Sequence, residues 1–252
     1  MTTAQDLAPL LKRLKLGTLL PTLPERLALA RREHLDYAPF LQILLTDEVT
    51  RREHHRLERQ LQLAGFEELC RLEDFDWTAH ITLDRRLLDA VFSLDFLARH
   101  EHVLFVGPVG VGKSFLAQAL GYAAVRAGHN VRFLRADAFF TALAQARVDH
   151  TLEKTFRSFL VPDLLILDDL GLHRFNAQQS ADLYEIIIGR HRRASFVITS
   201  NRAVEEWLSL FDDPILANSA LDRLANASYQ IVVEGSSYRE RLSPHRREVL
   251  TP

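Results

Sequence analysis

One glycine-rich segment of the chain has residue types and a spacing that suit the binding of phosphate groups. It reads Gly107-Pro108-Val109-Gly110-Val111-Gly112-Lys113-Ser114 and matches the pattern G-x-x-x-x-G-K-[ST]. Glycines let the backbone wrap around an anion, so that successive N–H groups and the N-terminus of a following helix face it. Lys113 would contact the β- and γ-phosphates, and the Ser114 hydroxyl would bind Mg²⁺. Because the apolar run Val103–Val106 precedes the segment and a helical pattern follows it, we predict a site for ATP and Mg²⁺ rather than a turn without a ligand.

Two adjacent carboxylates, Asp168 and Asp169, follow a second apolar run, Leu164–Leu167. Taken alone, two aspartates after a strand are more often a turn. Beside a phosphate-binding loop, however, a buried strand that ends in carboxylates is the arrangement that holds Mg²⁺ and positions the attacking water. We therefore assign Asp168 to the magnesium shell and Asp169 to orienting or deprotonating the water.

Three further polar residues have weaker support from the sequence. Asn201 follows a third apolar run, and it would sit beside the γ-phosphate if that strand lies between the other two. Arg223 and Arg239 could add positive charge near a nucleotide, but a surface position is the more frequent explanation for an arginine. The residues alone leave these assignments open.

Length and composition exclude several classes of protein. The 252 residues suggest one core-forming domain with a smaller appendage, and 47% hydrophobic and 25% charged residues are typical of globular proteins. The 31 Lys and Arg against 33 Asp and Glu give a net charge of −2, so that any binding to DNA requires a local patch. A single cysteine, Cys70, excludes an internal disulfide and a cysteine-rich zinc site.

Membrane insertion and secretion are not expected either. The longest apolar stretches, such as Val103–Gly112, are far shorter than the ~20 residues that span a bilayer. The first residues include Asp6 and lack a small-residue cleavage site after an apolar core, which disfavours a signal peptide. We expect a soluble, cytoplasmic protein.

Residues 1–70 have the pattern of a small all-helical N-terminal domain. Thr2 or Thr3 would cap a first helix, and Thr22–Glu25 has the pattern of a capping box for a second. Asp36 would cap a third helix that runs to Gly65. The first half of this helix is apolar on most sides and is therefore predicted to be buried. Its apolar residues are Phe40, Leu41, Ile43, Leu44 and Leu45.

Residues 71–252 alternate short apolar runs with helical segments, which predicts an α/β fold with a parallel sheet and helices on both of its faces. The predicted strands are Val103–Val106, Val131–Leu134, Leu164–Leu167, Phe196–Thr199 and Tyr229–Val233. The predicted helical segments are 114–127, 138–160, 177–192 and 203–225. The connection near Leu72–Thr82 has no Gly/Ser tract and is expected to pack against a domain.

A cluster of basic residues lies in the second half of the third helix. At about 100° per residue, Arg52, Arg56 and Arg59 share one side of the helix and could contact DNA phosphates without reading sequence. The alternative is a solvated helix in which Glu53 and Glu58 pair with neighbouring arginines, and the residues alone favour this alternative. A second basic cluster at 190–193 could face DNA or a neighbouring subunit.

The motifs together resemble the AAA+ ATPases of the IstB/DnaC type and, within that group, the IstB-like helper ATPases of bacterial insertion sequences. The resemblance is carried by GPVGVGKS, LLILDDLG, VITSN, LDRL and GSSYRER in this order. N-terminal segments such as RREHLDYAPFL and RREHHRLERQLQLAGF resemble the leader of that family. The resemblance covers nearly the whole chain.

This resemblance implies an ATP-dependent homo-oligomer that binds duplex DNA and assists a partner transposase in choosing or capturing its target. It implies that Lys113 and Ser114 belong to the Walker A motif and Asp168 and Asp169 to the Walker B motif. Asn201 matches a sensor, Arg223 the arginine finger that reaches the ATP of a neighbouring subunit, and Arg239 a second sensor within its own subunit. It also favours the DNA-binding interpretation of Arg52, Arg56 and Arg59. One departure is Asp169, since the general AAA+ pattern has glutamate there, and the shorter carboxylate would slow hydrolysis.

Two other functions remain open at this point. A replicative helicase loader of the DnaC type would use the same ATPase, although some such loaders carry a zinc-binding leader, which a single cysteine disfavours. A small-molecule kinase can also use a Walker A motif, but the acid pair and Arg223 speak against it. A transposase gene beside this one would favour the transposition helper, and a helicase gene the loader.

Overall fold

The structure, a computed structural model, describes residues 4–77 and 81–238. The chain forms two compact units that are divided between Arg59 and Gln60. We call the part before this division the helical unit and the part after it the sheet unit. The sequence pattern places the change in organisation near residue 70, whereas the division falls inside the third helix, which contributes residues to both units.

The helical unit contains α1 (Ala4–Arg13), a 3₁₀ turn at Gly17–Leu19, α2 (Leu23–Arg32) and most of α3 (Tyr37–Ala64). Helix α3 begins after Asp36 and ends before Gly65, as predicted. The predicted capping box of α2 is wrong: the Thr22 hydroxyl donates to the carbonyl of Leu19 at 3.1 Å and makes no cap. The reason is that Thr22 has helical backbone angles after the 3₁₀ turn, so its hydroxyl bonds to the turn behind it. Thr2 and Thr3 lie outside the described residues.

The first half of α3 is not buried on most sides, contrary to the prediction. Leu44 is 8% exposed and Glu48, four residues later, 3% exposed, so that one side of the helix is covered. Leu41 and Leu45, in contrast, are 54% and 53% exposed, and Val49 continues their row. The number of apolar residues in α3 does not determine how many are buried. The other elements of the helical unit are few and short, and they cover only one side of α3.

The sheet unit contains seven strands within its described residues, which are listed here by their bounds: β1 (Ile81–Thr82), β2 (His102–Val106), β3 (Val131–Arg135), β4 (Leu164–Asp168), β5 (Ser195–Ser200), β6 (Ser228–Val232) and β7 (Glu234–Gly235). Five of them form a parallel sheet in the spatial order β3-β4-β5-β2-β6. Strands β1 and β7 form a separate antiparallel ribbon. The predicted parallel sheet is confirmed. Every residue of β2, β4 and β5 is buried, which is typical of parallel strands covered on both faces.

Helices connect these strands. Their bounds are α4 (Arg85–Phe92), α5 (Asp95–Ala98), α6 (Lys113–Arg126), α7 (Ala136–Val148), α8 (Leu152–Leu160), α9 (Ala177–Arg190) and α10 (Pro214–Ala225). The single helical segment predicted at 138–160 is two helices, since His150 between them adopts a positive φ of 54°. The segment predicted at 203–225 is also divided, into a 3₁₀ helix (Val204–Leu210) and α10. There Asp213 accepts a bond from the Ile215 N–H and Pro214 starts the new helix.

The core lies on both faces of the parallel sheet. Alternate strand residues such as Leu104, Leu165 and Ile198 pack with Phe139, Trp207 and other buried residues of the connecting segments. Helix α6 packs against β3, β4 and β5. In the described parts of the chain, no helix has both the length and the apolar character required to cross a membrane.

Candidate nucleotide-binding site

The carboxyl ends of three neighbouring strands bring the predicted site residues to one edge of the sheet. Strand β2 ends at Val106, directly before Gly107, and β4 ends at Asp168. Strand β5 lies between them, and its last residue, Ser200, is the register partner of Val106. Crevices at the carboxyl ends of parallel strands are where open α/β sheets bind their ligands.

The backbone of residues 107–114 requires glycine at its tight positions. Gly112 has a φ of +95°, and a Cβ there would lie 2.8 Å from the Phe75 ring. Helix α6 begins at Lys113, so the unbonded N–H groups of its first turn face the loop. The Lys113 ammonium lies inside the loop, where it donates to the carbonyl of Pro108 at 2.6 Å. The segment therefore offers N–H donors and a cation to one small volume.

Asp168 is buried beside the loop. The residue is 3% exposed, and its carboxylate accepts a hydrogen bond from the Thr199 hydroxyl at 2.6 Å. Burial raises the pKa of Asp168 above its usual value, while hydrogen bonds from the hydroxyls of Thr199 and Ser114 act in the opposite direction. Asp168 and Ser114 thus lie within contact of each other and offer oxygen atoms that suit Mg²⁺.

Asp169 occupies a different backbone conformation from its neighbour. Its φ is +56°, in the left-handed region that few residues other than glycine adopt. Its N–H donates to the Thr199 hydroxyl at 2.8 Å, and its side chain is half-buried at the cavity. The two carboxylates therefore differ in burial and in setting, as different roles would require.

A cavity of about 480 Å³ joins the loop and the acid pair, within the range of about 300–1,000 Å³ that is usual for ligand pockets. Besides 109–114, Asp168 and Asp169, its lining includes Glu67, Glu68, Cys70, Asp74, Phe75, Asp76, Ile81, Phe115, Gln118, Arg135 and Tyr238. Phe75 is buried, with its ring centroid 5.6 Å from that of Phe115. The connection near residue 75 thus packs against the sheet unit, as predicted, and forms a wall of the cavity.

Asn201 lies just beyond β5, between the other two strands as the sequence argument supposed. It is exposed and is not among the residues that line the cavity. A contact between Asn201 and a γ-phosphate therefore stays a prediction.

Arg223 lies on α10, outside the lining of the cavity. One guanidinium nitrogen, Nη1, donates to the carbonyl and to the hydroxyl of Ser219, both at 2.6 Å. It lies beside His191 and Arg192 at a separate surface pocket. Its role as a finger stays a prediction, and Arg239 lies outside the described residues.

The three basic residues predicted to contact DNA are not equivalent. Arg52 donates to the Glu48 carboxylate at 2.6 Å and to the carbonyl of Lys15 at 2.8 Å. Arg56 and Arg59 are exposed and make no ion pair within the described part of the chain. Glu58, which the alternative interpretation paired with an arginine, contacts His54 and His55 instead.

Arg190 faces neither DNA nor a neighbouring subunit, contrary to both uses considered for it as part of residues 190–193. It is completely buried and donates to the carbonyls of Phe159, Pro162 and Ser195 at 2.7, 2.9 and 2.6 Å. Burial lowers its pKa to about 9. Its guanidinium joins the end of α9 to the segments around β4 and β5, so its role is structural. Arg192 and Arg193 are exposed.

Three residues in or beside the cavity are not predicted from the sequence, and Thr199 is the one among them that does not line it. Arg135 ends β3 and is the register partner of Asp168, which only the strand order reveals. Phe75 lies far from the motifs along the chain, and its contact with Gly112 depends on tertiary structure. Thr199 is a polar residue at the end of an apolar run, two positions before Asn201. This polar residue in a buried strand is the only local sign of its contacts with the acids.

The parallel sheet and the loop after β2 have the fold of AAA+ proteins of known structure. DnaA from Aquifex aeolicus, solved with bound AMPPCP, has a similar fold, with a TM-score of 0.55 and 21% identity over 66% of this chain and 51% of that chain. The structure of the DnaC helicase loader is similar with a TM-score of 0.52 and 22% identity, over 59% of this chain and 89% of that one. At these identities the likeness concerns the fold alone.

Sequence comparison gives the family. The family described as IstB-like ATP binding protein matches residues 9–246, and the chain belongs to it. An insertion-sequence ATP-binding protein of Mycobacterium tuberculosis, Rv3427c, is 42% identical over 94% of each chain. The protein named as the ATP-binding protein of insertion sequence IS21 in Pseudomonas aeruginosa is 34% identical over 93% of this chain and 88% of its own length. The resemblance inferred from the motifs is confirmed.

Proposed function

We propose that this chain hydrolyses ATP with Mg²⁺ and, as a homo-oligomer on duplex DNA, assists a partner transposase in capturing target DNA. The observation that carries the ATPase part is the buried Asp168 carboxylate beside Ser114 at the base of a phosphate-binding loop. The transposition part is supported by the family, because relatives along nearly the whole chain are named as insertion-sequence ATP-binding proteins.

Magnesium fits the donors at this site. Ser114 and Asp168 would hold it through hydroxyl and carboxylate oxygens, and the ion would neutralise charge on the phosphates. Within residues 4–77 and 81–238, no group of three or more His, Cys, Asp or Glu side chains could hold a metal ion. A nucleotide-bound Mg²⁺ needs only one or two protein oxygens, because the phosphates supply others.

The chain's own residues have separate tasks in this mechanism. Lys113 and the N–H groups of the loop bind the β- and γ-phosphates, and Asp169 orients the attacking water and accepts its proton. Arg223 of a neighbouring subunit stabilises charge on the γ-phosphate. Its position outside the cavity of its own chain supports action on a neighbour. Asn201 and Arg239 are assigned sensor roles on the family pattern.

DNA binding is proposed through the basic side of α3, without recognition of base sequence. Arg56 and Arg59 support this part of the proposal because both are exposed and unpaired within the described residues. Arg52 would contribute only by leaving Glu48, which costs a short charged hydrogen bond.

A binding and partner assay tests the proposal. The purified chain is mixed with duplex or single-stranded DNA, with ATP and Mg²⁺ or without, and then with the transposase of the same element or with a replicative helicase. We expect ATP-dependent assembly on duplex DNA and association with the transposase. Association with the helicase alone would contradict the proposal and favour a helicase loader.

A further inference from the structure

We propose that Thr199 is a positioning residue for ATP hydrolysis, which orients Asp168 and holds the turn that presents Asp169. This inference rests on the proposed ATPase function and gives a role to Thr199, a residue of the VITSN segment that the sensor assignment, made to Asn201, leaves without one. The proposed role belongs to the Thr199 side chain. The backbone hydrogen bonds of β5 would form with any residue at this position.

The Thr199 hydroxyl contacts both acidic residues at once. The side chain is completely buried, donates to Oδ1 of Asp168 at 2.6 Å and accepts the N–H of Asp169 at 2.8 Å. A hydroxyl has one proton to donate and two lone pairs to accept with. Because the Asp169 N–H can only donate, the hydroxyl proton is directed at the Asp168 carboxylate. The geometry therefore leaves this hydroxyl a single arrangement.

This arrangement restricts the rotation of the Asp168 carboxylate. A short bond from a hydroxyl to a carboxylate is among the stronger hydrogen bonds in proteins. With Oδ1 held by Thr199, the carboxylate group keeps a fixed orientation relative to the nearby hydroxyl of Ser114, which lowers the pKa of Asp168. Partners of metal-binding carboxylates act in this way by orienting the ligand before the metal arrives.

The same hydroxyl supports the unusual backbone of Asp169. A positive φ in a residue other than glycine persists only where surrounding bonds hold it. Three bonds to β5 hold this turn: the Asp169 N–H donates to the Thr199 hydroxyl, the Leu170 N–H donates to the Thr199 carbonyl, and the Ser200 hydroxyl donates to the Leu170 carbonyl. Of the two bonds that Thr199 contributes to the turn, only the one to its hydroxyl can be removed by substitution.

Strand β5 also provides a matched control. Ser195 lies four residues before Thr199, on the same face of the strand, and is equally buried. Its hydroxyl has no hydrogen-bond partner among the described residues. Ser195 and Thr199 both place a buried hydroxyl on this strand, but of the two only the Thr199 hydroxyl contacts Asp168 and Asp169. Substitution of Ser195 therefore tests the effect of losing a buried hydroxyl alone.

The experiment compares Thr199→Val, Thr199→Ala, Thr199→Ser and Ser195→Ala with the wild-type chain. Four quantities are measured: the melting temperature, kcat for ATP hydrolysis, KM for ATP, and the affinity for ATP by calorimetry with and without Mg²⁺. For Thr199→Val we expect kcat and the Mg²⁺-dependent part of ATP affinity to fall by about 10- to 100-fold. Affinity measured without Mg²⁺ should be unchanged. Thr199→Ser and Ser195→Ala should behave as wild type.

Other outcomes overturn the inference. Unchanged kcat and Mg²⁺ dependence in Thr199→Val would show that the hydroxyl has no positioning role. Equal losses in Thr199→Val and Thr199→Ser would make the methyl group, and hence packing, responsible. If Thr199→Val and Thr199→Ala both fail to fold while Thr199→Ser folds, the hydroxyl serves folding. A wild-type chain that binds no ATP with Mg²⁺ would instead overturn the proposed function.

Discussion

The sheet unit buries Asp168 and Lys113 of its candidate site, one at the end of a strand and the other at the start of a helix, whereas the helical unit carries the exposed Arg56 and Arg59 on α3. Asp168 and Lys113 are 3% and 5% exposed and have fixed partners. Arg56 and Arg59 extend into solvent. A buried charge at a strand end keeps one orientation, as chemistry on a phosphate requires, while an exposed arginine can adjust to a variable polyanion.

Glu48 is the exception within the helical unit. It is buried, and bonds from Arg51, Arg52 and Thr18 hold it. These bonds, led by that from Arg51 and opposed by burial, lower the pKa of Glu48 to about 2. Charged groups of the helical unit thus differ in whether a partner holds them. Arg52 bonds to Glu48, whereas Arg56 and Arg59 on the same helix are exposed.

The largest expected effect concerns a residue that acts across subunits. Arg223→Ala should bind ATP nearly normally but lose roughly 10³–10⁵ in hydrolysis rate, because charge developing on the neighbour's γ-phosphate loses its partner. Mixing Arg223→Ala with Lys113→Ala subunits should restore activity measured by phosphate release, since some interfaces then combine an intact site with an intact finger. Mixed oligomers that stay inactive at every ratio would show that Arg223 does not act on a neighbour.

A smaller effect is expected at the second acid. Asp169→Asn should bind ATP with Mg²⁺ as wild type, because Asp168 remains, and should hydrolyse it about 10²–10⁴-fold more slowly in a steady-state assay. Asp169→Glu is the matched control and should keep activity, since the carboxylate is retained. Loss of binding together with hydrolysis in Asp169→Asn would mean that the roles of the two aspartates are exchanged.

The helical unit should show modest and additive effects on DNA binding. Replacing both Arg56 and Arg59 with alanine should weaken ATP-dependent binding to unrelated duplexes equally. It should also reduce the salt dependence by about one unit per lost phosphate contact. Arg52→Ala is the control and should change the slope less, because Arg52 already bonds to Glu48. An unchanged slope in the double variant would place the DNA surface elsewhere, with Arg192 and Arg193 as the next candidates.

The smallest effect is one of pH on stability. The pKa of Glu48 lies near 2 in the folded chain against 4.5 for a free side chain, so its ionised form stabilises the fold. This stabilisation is complete above about pH 4.5 and is lost as the pH falls towards 2. Thermal unfolding followed by circular dichroism should show a lower melting temperature for Glu48→Gln at pH 7 and a weaker dependence on pH in that window. Parallel pH curves for the two proteins would contradict this.

Local sequence predicts the strands, the glycine-rich loop and the acids, because each depends on the pattern of adjacent residues. The helical periodicity does not predict the interruptions at His150 and Pro214, although Pro214 is a local signal for a helix start. The burial of Arg190, the exposure of Leu41 and the contacts of Thr199 depend on residues far away in the chain. These features depend on the order of the strands in the sheet and on which side of a helix is covered by other elements. A short stretch of sequence determines neither.

The most direct test of the account is calorimetric titration of ATP with Mg²⁺ into the wild-type chain, Lys113→Ala and Lys154→Ala. Lys154 is an exposed lysine on α8 and serves as the control. We predict that wild type and Lys154→Ala bind with equal affinity, and that Lys113→Ala, shown to be folded by its melting curve, has no detectable binding. Wild-type affinity in Lys113→Ala would contradict the assignment of residues 107–114 as the nucleotide site.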